Sequence, residues 1–276
     1  MRISKKIRPA AVASLFYPGD SKELRDLVQT YLKGNIDEQK KKIKQKFDIS
    51  GIRVLIVPHA GYIYSGEIAA SAYRLLQQNE NCFKRVLILG PAHRVWLNGA
   101  SFPNSDSFET PLGNINLEME IIEKMLLDFS YLSVSEKAHA EEHCLEVQLP
   151  FLQETLHEFK LIPLLVGETK TDQIFEIIQQ FSEDKETLIV ISTDLSHFYD
   201  YQTAKVKDNF TANAIEMLLP EKISEDDACG AYPLRGALAA ARFNKWQVHR
   251  LGICNSGDTA GDQKRVVGYG AWVMIA

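Results

Sequence analysis

The chain has 276 residues but few cysteines, and it contains no cysteine-rich motif. Its 4 cysteines are far apart in sequence, and none belongs to a Cys-x-x-Cys pair. A disulfide framework needs closely spaced cysteines in a short secreted chain, so that class of protein is excluded. Sparse, scattered cysteines are typical of a reducing compartment, and we expect a cytoplasmic protein.

Long apolar runs and an excess of basic charge are also missing. No run approaches the roughly 20 residues of a membrane span, and the basic N-terminus continues into Pro9 and Asp20 without a signal-peptide core. Acidic side chains outnumber basic ones by 36 to 31, which gives a net charge of −5. Since nucleic-acid-binding proteins usually carry a basic excess, we expect neither a nucleic-acid partner nor a membrane partner.

Three common catalytic motifs do not occur in the sequence. There is no Gly-x-Ser-x-Gly elbow, so an α/β-hydrolase is disfavoured. There is no P-loop, and no Gly-x-Gly-x-x-Gly opens a helix after a strand, so nucleotide and dinucleotide sites lack support. The charged stretch 37–46 mixes acids into its basic run and is interpreted as a solvated helix or linker.

What the sequence does contain is a regular alternation of short apolar runs and longer amphipathic segments. The predicted strands are Arg53–Val57, Arg85–Leu89, Leu161–Val166 and Leu188–Ser192. The predicted helices span 20–33, 65–78, 117–128, 142–157, 171–182, 201–218 and 233–243, and 246–253 with 265–275 form a predicted antiparallel pair. This pattern predicts an α/β fold with a mostly parallel central sheet and helices on both faces. We expect a single domain over residues 1–276, since no domain boundary is visible.

Three of the seven histidines directly follow predicted strands. His59, His93 and His197 each come within five residues of a strand end. Ligands bind at the carboxyl edge of parallel sheets, and histidine is both the commonest metal ligand and a neutral-pH proton carrier. A single such histidine would more often bind its own loop, but three at equivalent positions favour a shared site.

Other candidate residues leave two interpretations open. His143, near a predicted helix start, either lines the same cleft or lies on the surface. Cys229 precedes the helix 233–243, where a thiol would have a lowered pKa and act as ligand or nucleophile, unless it is a buried filler. Asp194 is interpreted as a supporting carboxylate or a helix cap.

The motifs at the strand ends, taken together and in order, resemble those of the Memo family. The matching segments are Arg8-Pro9-Ala10, Phe16-Tyr17-Pro18, Pro58-His59-Ala60-Gly61-Tyr62, Leu89-Gly90-Pro91-Ala92-His93, Glu142-His143 through Gln148-Leu149-Pro150, Ile162-Pro163-Leu164-Leu165-Val166-Gly167, Ser192-Thr193-Asp194-Leu195-Ser196-His197 and Cys229-Gly230. Each segment is weak evidence alone, but the ordered set covers nearly the whole chain.

The resemblance implies the fold of class III extradiol ring-cleavage dioxygenases, which bind non-haem Fe(II) through two histidines and a glutamate. His59 and His93 match the histidine ligands, and Cys229 matches the third ligand position, where Memo proteins carry a thiol. His197 matches the acid–base histidine of the dioxygenases. The resemblance also implies a functional association with AMMECR-like and radical SAM proteins.

These matches lead to one functional expectation and two alternatives. We expect a redox enzyme with one non-haem metal ion, Fe(II) or copper rather than zinc, acting on a small-molecule or peptide ligand. Binding of a peptide or phosphopeptide without turnover is the first alternative, and metal-assisted hydrolysis is a weaker one. The residues expected to support the metal or contact the substrate are Glu142, His143, Asp194, Tyr62, Tyr17 and Phe16.

Overall fold

The computed structural model describes residues 6–34, 51–78 and 83–276. The strands are β1 (Ile7–Arg8), β2 (Ile52–Val57), β3 (Arg85–Pro91), β4 (Ala100–Phe102), β5 (Ser107–Thr110), β6 (Gly113–Asn116), β7 (Leu132–Val134), β8 (Lys160–Val166), β9 (Thr187–Ser192), β10 (His197–Tyr199), β11 (Gln247–Asn255) and β12 (Val266–Ile275). The helices are α1 (Ser21–Leu32), α2 (Tyr62–Tyr73), α3 (Met119–Asp128), α4 (Glu136–Ala140), α5 (Leu149–Thr155), α6 (Thr171–Gln179), α7 (Tyr201–Glu216) and α8 (Ala231–Asn244). The charged stretch 37–46 and Cys82 lie outside the described residues.

A large central sheet confirms the predicted α/β class. Its strands run in the order β10-β12-β2-β9-β3-β8-β4-β7, and β11 pairs with β12. The four strands β2, β9, β3 and β8 are parallel, whereas β12 is antiparallel to β2, and β4 is antiparallel to β8. The sheet is therefore parallel at its centre and mixed towards its margins.

The central strands are mostly apolar because helices cover the sheet. Every residue of β2 and β9 is buried. Helix α2 packs against β12, β11 and β2, and α8 packs against β3 and β9. Strands buried on both faces lose the alternation of polar and apolar residues. The resulting continuous apolar runs are the pattern from which these strands were predicted. The antiparallel pairing of β11 with β12 confirms the predicted C-terminal pair.

The predicted helix over 142–157 is shorter in the structure. A single 3₁₀ turn, Glu146–Gln148, leads into α5, which starts at Leu149 with Pro150 in its first turn. Proline suits this position, because the first helical amides have no partner within the helix. Residues 142–145 are not helical, and their amides and carbonyls bind other parts of the chain.

The strands β1, β5 and β6 form a second, three-stranded sheet that the sequence pattern did not predict. They are two to four residues long and mostly polar, so they carry no detectable periodicity. No helix among the described residues is both long and apolar enough to cross a bilayer.

A buried ion pair joins β1 to the turn before α5. The side chains of Arg8 and Glu146 are 5% and 0% exposed, and their charged groups are in direct contact. Glu146 also accepts the amides of Ala11 (2.8 Å) and Val12 (3.0 Å), and Arg8 donates to the carbonyl of His139 (3.0 Å). All these bonds connect the N-terminal segment to residues 139–146.

The first prediction concerns this ion pair. Glu146→Gln preserves the shape but leaves the Arg8 charge buried and unpaired, so we expect the free energy of unfolding to fall by about 3–5 kcal/mol. Urea denaturation measures the change. Glu136→Gln is the matched control, because Glu136 pairs with Lys6 in an exposed position, and its loss should have little effect. Equal losses in the two variants would contradict the importance of the buried pair.

His139 is a second buried group in this region, with 2% of its surface exposed. Its Nε2 donates to the carbonyl of Ser101 at 2.8 Å. Burial, which disfavours the charged ring, lowers the pKa of His139 from 6.5 to about 4, despite the bond to Ser101. The ring is therefore neutral in the folded protein at neutral pH.

The second prediction follows from this pKa. Between pH 6.5 and about 4 the unfolded chain binds a proton at position 139 that the folded chain does not, so stability falls as the pH falls. The loss should reach about 3 kcal/mol over this window. His139→Gln keeps a donor for Ser101 and should flatten this part of the pH dependence in urea titrations. The exposed His157→Gln should leave the dependence unchanged, and an unchanged slope in His139→Gln would refute the assignment.

Candidate metal centre

Two of the strand-end histidines meet at the carboxyl edge of the sheet, together with His143. The ring centroids of His59 and His93 are 5.1 Å apart, and His143 lies 5.3 Å from His59 and 4.8 Å from His93. One nitrogen from each ring lies within 4.8 Å of the other two, a spacing that could hold a metal ion. His143 thus lines the cleft, which was one of its two interpretations from sequence.

Cys229 lies next to His59. Its Sγ is 3.2 Å from His59 Nε2 and accepts the amide of Asp194 at 3.3 Å. Burial and the charge of Asp194 raise the pKa of the Cys229 thiol, although the Asp194 amide opposes the shift. The prediction of a lowered pKa was wrong, because desolvation outweighs the effect of the adjacent helix start. The thiol is neutral here, and a bound cation would be needed to favour the thiolate.

The carboxylate of Glu142 binds both the backbone amide and the ring of His93. It accepts the backbone amides of His93 (2.6 Å), His143 (3.0 Å) and Cys144 (3.2 Å), and its Oε1 lies 2.9 Å from His93 Nδ1. Burial alone would raise the pKa of Glu142, but the bonds and charges of the two histidine rings hold it well below its usual range. An ionised carboxylate can only accept, so His93 Nδ1 carries a hydrogen and donates it to Glu142.

The third imidazole, His143, has a different environment. Its Nδ1 lies 3.1 Å from Glu142 Oε1, an ion-pair distance, but with poorer hydrogen-bond geometry than that of His93 Nδ1. Glu142 together with His93 and Cys144 forms a second group of donors within 4.8 Å of one another. His143 is therefore within reach of the centre without being held as firmly as His93.

His59 is the most deeply buried of the three histidines. Its surface is 2% exposed, and its backbone amide donates to Asp194 Oδ1 at 2.7 Å. Burial first, and then the charges of His93 and His143, lower the pKa of His59 well below its usual value. Its ring is neutral at physiological pH, which is the form of imidazole that binds metals.

His197 lies in β10, paired with Val267 of β12, at a register irregularity. The irregularity coincides with Phe198, whose φ of 65° is in the left-handed region. A bulky residue is strained there, and bulges beside functional sites commonly redirect a neighbouring side chain. The half-buried His197 is near enough to His59 for its charge to contribute to the lowered pKa of His59, after burial and the other two imidazoles.

The three aromatic residues predicted to line the site differ in how deeply they are buried. The ring of Phe16 is half-buried and lies 4.7 Å from that of His143, at the margin of the cluster. Tyr17 and Tyr62 are each 3% exposed, and Tyr62 donates its hydroxyl to the carbonyl of Val147. The hydroxyl of Tyr17 donates to Glu146. Both tyrosines pack beneath the site, and a ligand contact by either remains a prediction.

A large cavity lies away from the histidine cluster. It has a volume of about 890 Å³ and is lined by residues that include Arg25, Lys84 and Phe159, with no member of the cluster. Charged groups beside it already form ion pairs, such as Arg25 with Glu154. We place the functional site by its chemistry, since converging metal-ligand donors are more specific than volume.

Comparison with known proteins identifies the family. The model of the Memo-like protein family matches residues 8–273. The chain belongs to the Memo family. A MEMO1 family protein of Aquifex aeolicus is 36% identical over 285 residues, covering 98% of this chain and 100% of that protein. One of Saccharolobus solfataricus is 33% identical over 284 residues, with coverages of 95% and 97%.

A solved structure is similar to the Memo-family chain in fold alone. An uncharacterised protein of Escherichia coli K12 superposes with a TM-score of 0.57 at 11% identity, over 82% of this chain and 100% of that one. Family membership, as the sequence motifs indicated, is thereby confirmed. The roles assigned to individual site residues remain predictions.

The third prediction concerns Gly90, which follows the buried run of β3. A Cβ at this position would lie 2.7 Å from Cys144 Sγ and 2.9 Å from Leu145 Cδ2, closer than real contacts allow. Gly90→Ala should therefore displace the segment that carries Glu142, with a loss of about 1–3 kcal/mol in the free energy of unfolding. Gly61→Ala is the control, because its Cβ would meet nothing closer than 3.5 Å. Similar unfolding midpoints for the two variants would disprove the steric account.

Proposed function

We propose that this Memo-family chain binds one non-haem transition-metal ion, Fe(II) or copper rather than zinc, and uses it in a redox reaction. One observation carries the proposal. The imidazole rings of His59 and His93 lie 5.1 Å apart at the carboxyl edge of the sheet, and Cys229 Sγ lies 3.2 Å from His59 Nε2. Such a mixture of nitrogen and sulfur donors suits a first-row transition metal and does not suit magnesium or calcium.

His59, His93 and Cys229 would hold the ion. A three-donor face leaves positions for oxygen and for substrate, and the bound ion would supply electron transfer between them. A thiolate in place of a carboxylate is softer and oxidisable, so ring cleavage by analogy with the dioxygenases does not follow from the fold. The proposed reaction is therefore a metal-dependent oxidation, and ring cleavage is not part of the proposal.

The remaining residues of the site would act around the ion. His197 would give or take a proton on the substrate, because it is half-buried beside the cluster at a distorted strand. Glu142 orients His93, and the half-buried His143 is available to a substrate next to the metal. The exposed fraction of the His93 side chain, 29%, gives ligands access from solvent.

The fourth prediction is a measurement of bound metal after anaerobic purification. We expect near-stoichiometric iron or copper in the native protein, and loss of that metal in both His59→Ala and Cys229→Ser. His157→Ala and Cys254→Ser are controls outside the cluster and should retain the metal. Oxygen uptake by the loaded protein, screened with candidate substrates, tests the redox step.

Other results would favour the alternatives. Zinc lost in the same two variants, without oxygen uptake, would support metal-assisted hydrolysis. Absence of metal from every form, even after Fe(II) or Cu(I) is supplied, would refute the metal centre. Peptide affinity that persists in His197→Ala without metal would then support a binding protein.

A further inference from the structure

We infer that Gln148 and Ser192 are positioning residues that fix which ring nitrogen of His59 carries the proton. Ser192 is the last residue of β9, and Gln148 precedes α5, so the two are far apart in sequence. Both are almost completely buried, at 0% and 1% exposure. Neither stood out from the sequence as a site residue.

The hydroxyl of Ser192 has one proton to donate and two lone pairs with which to accept. Its Oγ lies 2.6 Å from the carbonyl oxygen of Cys144, a contact that requires a hydrogen between the two oxygens. The Ser192 proton is therefore committed to Cys144. At the remaining contacts Ser192 can only accept.

Gln148 occupies one of the two accepting positions. Its Nε2 donates to Ser192 Oγ at 2.9 Å and to the carbonyl of Pro58 at 2.8 Å, while its Oε1 accepts the hydroxyl of Tyr73 at 2.9 Å. A flipped amide would set its oxygen against the Pro58 carbonyl with no hydrogen between them. Burial raises the pKa of Tyr73, so its phenol keeps the proton that it donates. The orientation of the Gln148 amide is thus determined from both ends.

The other accepting position of Ser192 faces His59. The distance from Ser192 Oγ to His59 Nδ1 is 2.9 Å, and because Ser192 has no proton left to give, Nδ1 must be the donor. In the neutral ring the lone pair then belongs to Nε2, which faces Cys229 Sγ at 3.2 Å. The chain of bonds from Tyr73 through Gln148 and Ser192 therefore prepares Nε2 as the ligand atom.

The two histidines of the centre both donate through Nδ1, but to different acceptors. Glu142 holds His93 with a charged acceptor, whereas Ser192 holds His59 with a neutral one inside the core. Groups that bind the far nitrogen of a ligating histidine typically change metal affinity by about 10- to 100-fold. The metal consequence rests on the proposed function, but the tautomer itself does not.

The fifth prediction tests the tautomer in metal-free protein. In ¹⁵N-histidine NMR, with the His59 signals assigned by their loss in His59→Ala, we expect a protonated Nδ1 and an unprotonated Nε2. Ser192→Ala and Gln148→Met should shift His59 towards a mixture of tautomers. Ser192→Thr keeps the hydroxyl and should retain the native signal. Affinity for Fe(II), measured anaerobically, should fall about 10- to 100-fold in Ser192→Ala.

Ser101→Ala is the matched control for loss of a buried hydroxyl. Ser101 is 0% exposed, and its Oγ has no hydrogen-bond partner within the described residues. A protonated Nε2 in the native protein, or an unchanged His59 spectrum in both Ser192→Ala and Gln148→Met, would overturn the inference. If no form binds Fe(II), the proposed function fails while the NMR result still decides the tautomer. If Fe(II) binds equally to all forms, the positioning role for the metal is refuted.

Discussion

The buried contact between Arg8 and Glu146 is the interaction on which the candidate site depends. Two opposite charges removed from water are tolerated only when each finds enough partners, and here the amides of Ala11 and Val12 and the carbonyl of His139 provide them. The pair fixes the course of residues 139–148, which lie outside regular helix for most of their length. That segment carries Glu142, which bonds to His93, and Gln148 and the Cys144 carbonyl, which bond to the Ser192 hydroxyl beside His59.

This short segment serves both histidines at once. Glu142 accepts the amide and the ring of His93, and a few residues later Gln148 orients Ser192 against His59. The carbonyl of Cys144 accepts the hydrogen bond that the Ser192 hydroxyl donates. A displacement of the segment would therefore disturb both histidines together. The segment thus links the supports of the two histidines, although His59 is also held by Ser192 and Asp194 from β9 and the residues after it.

The sequence was sufficient for the central architecture and for the meeting of His59 with His93. Apolar runs with few polar breaks identified the parallel strands, and parallel strands bring their carboxyl ends to one edge. The sequence was insufficient for β4 to β7, because these strands are too short and too polar to show a regular alternation of polar and apolar residues. The role of Ser192 could not be predicted either, because it depends on hydrogen bonds to Gln148 and Cys144, which are 44 and 48 residues away in the sequence. The pKa of Cys229 required knowledge of its burial.

The margins of the central sheet have a consequence for the protein in a crowded solution. An exposed strand edge is a template on which other chains can add, and proteins limit this by short or distorted outer strands. Here β7 and β10 have three residues each, β10 is irregular, and β11 shifts register between Arg250 and Gly252. Because β10 and β11 together border β12, the long apolar strand at that side of the sheet is not the outermost one. The short and irregular outer strands thus protect the chain from edge-to-edge aggregation.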